Sequence, residues 1–584
     1  MIKSVSGKKW IKKHLDERLV EQIVQSHDLP EFLSRILVSR GINVDQVTSF
    51  LNPKLRDLLP DPFHLKDMDK GGARILAAIE NSESIYILGD YDVDGATSSA
   101  LLKRFFRDIG VDAKIFIPDR IIDGYGPSKA VLERLKKAGA DVVITVDCGA
   151  VAFEPLKYAS EIGLDVIVID HHMGGEEIPE GVAIINPNRL DETTEYKYLA
   201  AVGVSFLFVT AISSLLKKAG YFTKKSINLD LLSYLDLVAL GTVCDVMPLI
   251  GLNRALVCQG LKIMSRRNNH GLKILSDMSR LEGVPTCYHL GFVIGPRINA
   301  GGRVGKSDLG AILLSTTSEE EAYKIFWELE RHNDERKAIE AEMLEDAMNE
   351  AYSQADRSVI MVAREGWHPG VIGIIAGRIK EKFQKPTAVI AINNGIGKAS
   401  CRSVKGVNFG AKIVEAKMNG IIEEGGGHAM AAGFSVKGSK ISELHNFLCE
   451  KIMDEYIDFA ENHCHKYDIE ITTSGATLTL VKQLQKLAPF GSGNYEPIVR
   501  IDDLFVLKAD LVGEKHISVL LAPDRNAYGS KAIKAIAFNS YDTQIGKVLL
   551  SPSANRISVL GNLQINSWQD RENLQIIIHD LLST

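Results

Sequence analysis

The sequence predicts an α/β protein. It has a parallel-sheet domain, a smaller α/β domain joined to it by one long helix, and a small C-terminal β-barrel. Three patterns carry this expectation. Short β-branched runs alternate with helix-like segments in the first half. A segment without Gly or Pro, rich in Glu, Lys and Ala, follows. After about residue 465 the chain breaks into short alternating runs separated by turn residues.

In chain order, residues 1–65 read as a helical segment ending in the Pro-rich connector NPKLRDLLPDPF. Residues 66–315 carry the runs SIYIL (84–88), AKIFI (113–117), DVVITV (141–146) and DVIVI (165–169), with helix-like stretches near 95–109, 126–138 and 152–162. Such alternation calls for a mostly parallel sheet with helices on both faces. Residues 316–354 read as one long, mostly exposed spacer helix. A second α/β unit spans 355–455, with strands SVIMVA and TAVIAI and a Gly-rich segment at Gly425–Gly433. Residues 465–584 hold EPIVRIDDLFVL, HISVLLA, AIKAIAF, RISVLGNLQI and LQIIIHDL, a series that fits a nucleic-acid-binding barrel of OB-fold size.

Composition narrows the class. The 584 residues are 45% hydrophobic and 24% charged, the balance of a soluble multidomain protein. A net charge of −6 excludes a generally basic protein, so any nucleic acid must be held by a local positive groove. Seven cysteines without a CxxC pair argue against a disulfide framework or structural zinc and for a reducing, cytoplasmic setting. The N-terminus has no apolar secretory segment. The stretch Tyr198–Leu216 is uncharged and long enough to span a bilayer. It contains Ser205, Thr210, Ser213 and Ser214 and lacks an aromatic belt, so a buried helix is expected and no membrane contact.

In the first α/β domain the strands end in acid. SIYILG runs into Asp90, Asp92 and Asp94. VVITV runs into Asp147, VIVI into Asp170-His171-His172, and LVALGTVC, taken as a further strand, into Asp245. A single Asp after a strand is usually a helix cap, and a lone His pair is usually surface or core. Together they mean more, because ligands of open α/β sheets bind outside the carboxyl ends of the strands. Carboxylates crowded there repel and are costly to desolvate, and a divalent cation removes that cost. Carboxylate and imidazole without thiolate suit Mn²⁺ or Mg²⁺. By alternation, Cys148 and Cys244 should point away from the crevice into the core. The set is large enough for two ions, with Asp147 on a central strand as the bridging ligand.

These residues resemble a known family. DYDVDG (90–95), VDCG (146–149), DHH (170–172) and Asp245 are similar to the successive motifs of the DHH phosphoesterase superfamily, and GGGHAMAAG (425–433) to the signature of its DHHA1 partner domain. RGINVDQVTSFLNP, IPDRIIDGYG (117–126), GPRINAGGRVG (295–305), WHPGVIGIIAGR (367–378), APFGSGNYEP (488–497) and INSWQDRENLQIIIHD extend the resemblance to the superfamily's single-strand-specific 5′ exonucleases. It covers nearly the whole chain.

The resemblance implies that Asp92, Asp94, Asp147, His171 and Asp245 hold two ions, with Asp90 beside them as a ligand or a supporting group. His172 would face the scissile phosphate and Asp170 would orient a histidine. It also implies a pocket for a terminal 5′ phosphate, formed most directly by Arg120, Ser400 and Arg402. Arg297 and Arg303 bracket Asn299 in what reads as a Gly-rich loop, and the choice between the two arginines stays open. Gly426, Gly427 and His428 would contact phosphate or sugar, with a tight turn as the alternative. Trp367 and His368 would stack on a base, or Trp367 would be core. The implied activity is metal-dependent 5′ to 3′ hydrolysis of single-stranded DNA to mononucleotides in recombination and repair. The implied enzyme is a monomer working with a single-strand-binding protein and a helicase. A small-substrate phosphodiesterase and a non-catalytic binding protein are the competing classes. Two departures from the pattern are Cys401 in place of Ala, and SWQDREN, which lacks the usual turn Gly.

Overall fold

The computed structural model describes residues 4–119, 122–526, 532–551, 556–568 and 571–583. It divides into two compact units, one of Leu59–Met247 with Leu256–Asn462, the other of Met1–Leu58, Pro248–Ala255 and His463–Thr584.

In the larger unit, strands Ile85–Gly89, Ala113–Phe116, Val142–Val146, Asp165–Ile169 and Ala183–Ile185 form an all-parallel sheet in the order second, first, third, fourth, fifth. Its central strands are buried on both faces, as their unbroken β-branched runs demand. Helices Lys129–Lys137 and Phe153–Glu161 cover one face, with Val131, Leu135 and Leu156 packed against Tyr86, Val143 and Val168. The order reverses between the first and third strands, so the crevice at their carboxyl ends is the topological switch point. The acids of DYDVDG and VDCG sit there.

Helix Ala201–Lys218 is apolar and long enough to cross a membrane, yet two thirds of it is buried inside the protein. Two expectations are corrected. LVALGTVC is part of a helix, Leu235–Cys244, not a strand. Leu235 through Thr242 are buried without a break, so no polar face revealed the helical period. GPRINAGGRVG is likewise a helix, Gly295–Val304, following a π-helical turn at His289–Ile294, and not a loop. Its glycines serve close packing: a Cβ on Gly302 would lie 2.8 Å from the Tyr91 carbonyl oxygen.

The long helix is present at Glu319–Tyr352, capped by Ser318. It buries a stripe that includes Ile325, Leu329 and Met343 while its charged side faces solvent. It leads to a mixed sheet of strands Glu424–His428, Ala431–Lys437, Ile396–Arg402, Thr387–Asn393 and Ile360–Glu365, in that spatial order. The Gly-rich motif is therefore strand, and the tight-turn alternative for Gly426 and Gly427 fails.

In the smaller unit, strands Val499–Val512, His516–Ala522, Ile533–Ala537, Arg571–Ser583 and Ile557–Trp568 close into a five-stranded barrel through pairing of the last with the first. The N-terminal segment is not purely helical and has no core of its own. Strand Lys9–Lys12 pairs in parallel with Cys464–Tyr467, and Ile23, Leu33 and Ile36 share one core with Leu504, Val519 and Leu563. Buried Arg254 donates to the carbonyls of Phe50, Leu487 and Ala488, which ties Pro248–Ala255 into this unit. The SWQDREN turn falls at residues 569–570, outside the described residues.

Candidate active site

Each acid is held by its local structure. Asp90 follows the first strand and is buried. Asp92 caps helix Val93–Asp108, its Oδ1 accepting from the Asp94 and Gly95 amides at 2.9 and 3.1 Å. The common capping role is thus real, and it occupies only one oxygen. Gly95 is required here, because a Cβ would stand 2.4 Å from the Asp90 carbonyl oxygen. Asp94 accepts from the Ala201 and Val202 amides at 2.7 and 2.9 Å, at the positive N-terminus of a long helix. Asp147 takes a left-handed backbone, φ 62°, immediately after the third strand. Asp245 ends helix Leu235–Cys244.

The DHH triplet is fastened at several points. Asp170 accepts from the backbone amides of Ala150, His171 and His172 at 2.8, 2.7 and 3.1 Å, and its Oδ1 lies 2.7 Å from His172 Nδ1. Asn188 and Asn186 donate to the main-chain carbonyls of His171 and His172 at 2.6 and 2.8 Å. Burial alone would raise the Asp170 pKa. The His172 hydrogen bond and charge, with the backbone donors, bring it below the usual carboxylate range. Burial would lower His172, but its bond to Asp170 and the surrounding carboxylates raise it to about 9. His171 moves the other way, to about 4, through burial and the positive charge of His172. Without a bound cation, burial and the neighbouring charges therefore favour the neutral form of His171 and the cationic form of His172.

These groups converge. His171 Nε2 lies 3.3 Å from Asp147 Oδ1, 3.5 Å from Asp245 Oδ2 and 3.8 Å from Asp94 Oδ2. Three overlapping triads have ligand atoms within 4.8 Å of one another: Asp90–Asp92–Asp147, Asp147–His171–His172 and Asp94–His171–Asp245. Asp147 Oδ1 and Asp245 Oδ2 are buried and accept no hydrogen bond among the described residues. Burial and then the charges of neighbouring aspartates push Asp94, Asp147 and Asp245 above the carboxylate range. Orphaned buried oxygens that repel one another are what a divalent cation satisfies, and the oxygen and imidazole donors suit Mn²⁺ or Mg²⁺. Cys148 turns into the core as expected, whereas Cys244, at the end of a helix and not of a strand, is only partly buried and donates to the Leu290 carbonyl at 3.3 Å.

A second cluster lies on the mixed sheet. Register pairs Ser400 with Gly433 and Gly433 with Gly426, and likewise Arg402 with Ala431 and Ala431 with His428. Ser400, Arg402, Gly426 and His428 therefore share one face, floored by small residues. Cys401 and Ala432 point to the opposite, core side, so Cys in place of Ala changes only packing. A Cβ on Gly426 would meet nothing within 4 Å, whereas one on Gly427, at φ 145°, would strike the Ala431 carbonyl. Gly426 leaves an open approach, and Gly427 is demanded by packing. Arg402 donates to Ser400 Oγ at 3.2 Å and has no carboxylate partner among the described residues. Burial lowers its pKa. A Cβ on Gly373 would lie 3.1 Å from Ser400 Oγ and 3.3 Å from Arg402 Nη2, so helix Ile372–Phe383 starts directly over this pair.

Comparison with known proteins agrees with this architecture. Family models match residues 84–242 (DHH family, N-terminal domain), 353–454 (DHHA1 domain) and 467–580 (RecJ OB domain). The single-stranded-DNA-specific exonuclease RecJ of Salmonella typhimurium is 33% identical over 95% of this chain and 96% of its own length. The chain belongs to the RecJ family. RecJ of Bacillus subtilis is 32% identical over 98% of this chain and 71% of that protein. Among solved structures, RecJ from Thermus thermophilus in complex with Mn²⁺ has a TM-score of 0.78 at 26% identity, covering 98% of this chain and 79% of that one. An exonuclease RecJ bound to manganese has a TM-score of 0.58 at 31% identity, covering 69% and 97%.

The remaining candidates of this RecJ-family chain separate by their contacts. Arg297 is engaged by Glu330 through two bonds of 2.7 and 3.2 Å. Arg303, on the same helix as Asn299, donates to the Gly370 carbonyl at 3.0 Å, where the loop holding His368 precedes helix Ile372–Phe383. Trp367 is core, packed with Val371 and Ile375. Arg120 lies outside the described residues.

Sequence reasoning passed over Tyr125, Asn186 and Asn188. The Tyr125 hydroxyl donates to the Asp147 carbonyl at 2.9 Å, and its ring stands edge-on to His172 with centroids 6.3 Å apart. Asn186 and Asn188 follow the last parallel strand directly, so the strand-end rule that found the aspartates would have found them too.

Proposed function

We propose that this chain is a metal-dependent exonuclease that hydrolyses single-stranded DNA from the 5′ end to mononucleotides in recombination and repair, using two Mn²⁺ or Mg²⁺ ions. The carrying observation is the buried set of carboxylates and imidazoles at the switch point, with Asp147 and Asp245 oxygens that no protein donor satisfies among the described residues. Asp90, Asp92 and Asp147 would hold one ion and Asp94, His171 and Asp245 the other, with Asp147 shared. When bound, the cations neutralise charge developing on the phosphoryl oxygens and activate the attacking water. His172, oriented by Asp170, would hydrogen-bond the scissile phosphate and, when protonated, could give a proton to the departing oxygen. Neutral His171 keeps a lone pair available as a ligand.

The Ser400–Arg402 pair, uncovered by Gly373, would hold the terminal 5′ phosphate by charge-assisted hydrogen bonds. Gly426 and His428 would receive the adjoining backbone, and Gly427 supports that strand from behind. Arg303 is better placed than Arg297, whose guanidinium already holds Glu330. Arg120 and Asn299 complete the assignment on resemblance. Anchoring a strand end at a fixed distance from the hydrolytic groups is what makes the cut an exonucleolytic one releasing single nucleotides. The barrel adds a single-strand track. The same reading includes a cytoplasmic monomer collaborating with a single-strand-binding protein and a helicase.

The test is digestion of single- and double-stranded DNA labelled at either end, in Mn²⁺, Mg²⁺ or chelator. The proposal expects immediate release of 5′-labelled mononucleotide from single strands and none in chelator. Turnover confined to dinucleotides, or unaffected by chelator, would overturn it.

A further inference from the structure

Just ahead of helix Gly295–Val304, two large aromatic rings stand in solvent. Tyr288 is 64% and Phe292 73% exposed, and their rings stack on each other with centroids 5.3 Å apart and planes at 26°. Contiguous exposed apolar surface marks interaction sites, whereas single exposed apolar residues are ordinary, and these two rings are contiguous. Their position ties them to the site. Phe292 lies within the π-helical turn His289–Ile294, which packs on the helix ending at Asp245. Cys244 Sγ donates to the Leu290 carbonyl, and a Cβ on Gly295 would come within 2.6 Å of that sulfur. The same stretch continues as the helix whose Gly302 abuts Tyr91 of the DYDVDG motif. One continuous helical segment therefore carries the aromatic pair at one end and, further along, touches Cys244 and Tyr91, the chain neighbours of Asp245 and of Asp90 and Asp92. π-Helical turns are rare and are frequently found at functional sites.

The base of the pair is held still. The Thr286 amide donates to His289 Nδ1 at 3.0 Å, and the His289 ring meets Tyr288 edge-on at 5.9 Å. The stack is thus presented by an anchored turn, and Val246, 69% exposed, follows Asp245 directly.

Resting on the exonuclease reading, we infer that Tyr288 and Phe292 form a stacking platform for bases of the single strand next to the nucleotide being cut. The occupant follows from chemistry and place. A strand whose phosphate lies among the acids must carry its bases past their rim, and a flat ring accepts any base by its π face without reading sequence. Stacking also requires an unpaired base, so the platform would favour single strands over duplex.

The test uses a nuclease-resistant phosphorothioate strand with 2-aminopurine placed at successive positions, together with hydrolysis of an ordinary long strand and of a dinucleotide. Wild type should quench the fluorophore at one or two adjacent positions. The Tyr288→Ala/Phe292→Ala variant should lose that quenching and raise KM for the long strand about tenfold. Its kcat and its dinucleotide hydrolysis should stay at wild-type levels. Tyr288→Trp should restore quenching and KM. Wild-type protein that cuts no DNA would refute the exonuclease reading itself. An active wild type matched by the double variant in KM and quenching would refute only the platform.

Discussion

Replacing Asp147 by Asn separates electrostatic from structural explanations of the acid cluster. Ligand oxygens of Asp90, Asp92 and Asp147 lie within 4.8 Å of one another. Two unit charges at that separation repel by about 3 kcal/mol at an effective dielectric of 20. Partial protonation relieves some of this in metal-free protein, so removing the Asp147 charge should stabilise it by about 1–3 kcal/mol. Asn tolerates the φ of 62° as readily as Asp, so no backbone strain is added. For a chain of 584 residues the gain is about 1–2 °C in Tm.

The sign with pH follows from the shift. The folded Asp147 pKa is raised, so its contribution to stability is complete below about pH 4 and is lost as pH rises through the folded value. The advantage of the variant in chelator should therefore be absent near pH 4 and grow toward alkaline pH. Adding Mn²⁺ should stabilise wild type and barely move the variant, and hydrolysis should fall by roughly 1,000-fold. Calorimetry with and without Mn²⁺, paired with a nuclease assay, measures all of this. A variant that melts below wild type in chelator at alkaline pH, or that keeps its response to Mn²⁺, would refute the reasoning.

Further outcomes are expected. Arg402→Ala should cost roughly ten- to hundredfold in preference for a 5′-phosphorylated over a 5′-hydroxyl strand, measured by competition, with the Mn²⁺ response intact. Gly241→Ala would place a Cβ 2.4 Å from Thr97 Oγ1 and 2.9 Å from Asp94 Oδ1. It should destabilise by about 1–3 kcal/mol and weaken Mn²⁺ binding in a calorimetric titration, although Ala is the better helix former. Asp170→Asn should bring His172 in metal-free protein from about 9 down toward about 6.5, followed by NMR titration. The stability contributed by that pair is complete between about pH 4 and 6.5, is lost as pH rises through about 9, and is lost again as pH falls through the lowered Asp170 value, so the variant should show its deficit mainly from mildly acid to neutral pH.

The acid-terminated strands were legible because a parallel sheet fixes where strand ends meet, whatever separates them in sequence. Asp245 was found although its segment was misread, since a run buried on all sides looks alike as helix or strand. The GPRINAGGRVG glycines signalled a loop because local propensity cannot see that Gly302 must clear Tyr91. Ser400 and Arg402 share a face by simple alternation, but their alignment with Gly426 and His428 is a matter of strand register, which carries no local signal. Nor does the pairing of Lys9–Lys12 with Cys464–Tyr467, which makes the N-terminal segment part of the barrel's core.

The most direct measurement is an anomalous difference map from crystals soaked in Mn²⁺. Two peaks are expected, one among Asp90, Asp92 and Asp147 and one among Asp94, His171 and Asp245, with an Asp147 oxygen reaching both. Manganese bound only elsewhere, or an Asp147 carboxylate touching neither ion, would contradict the account.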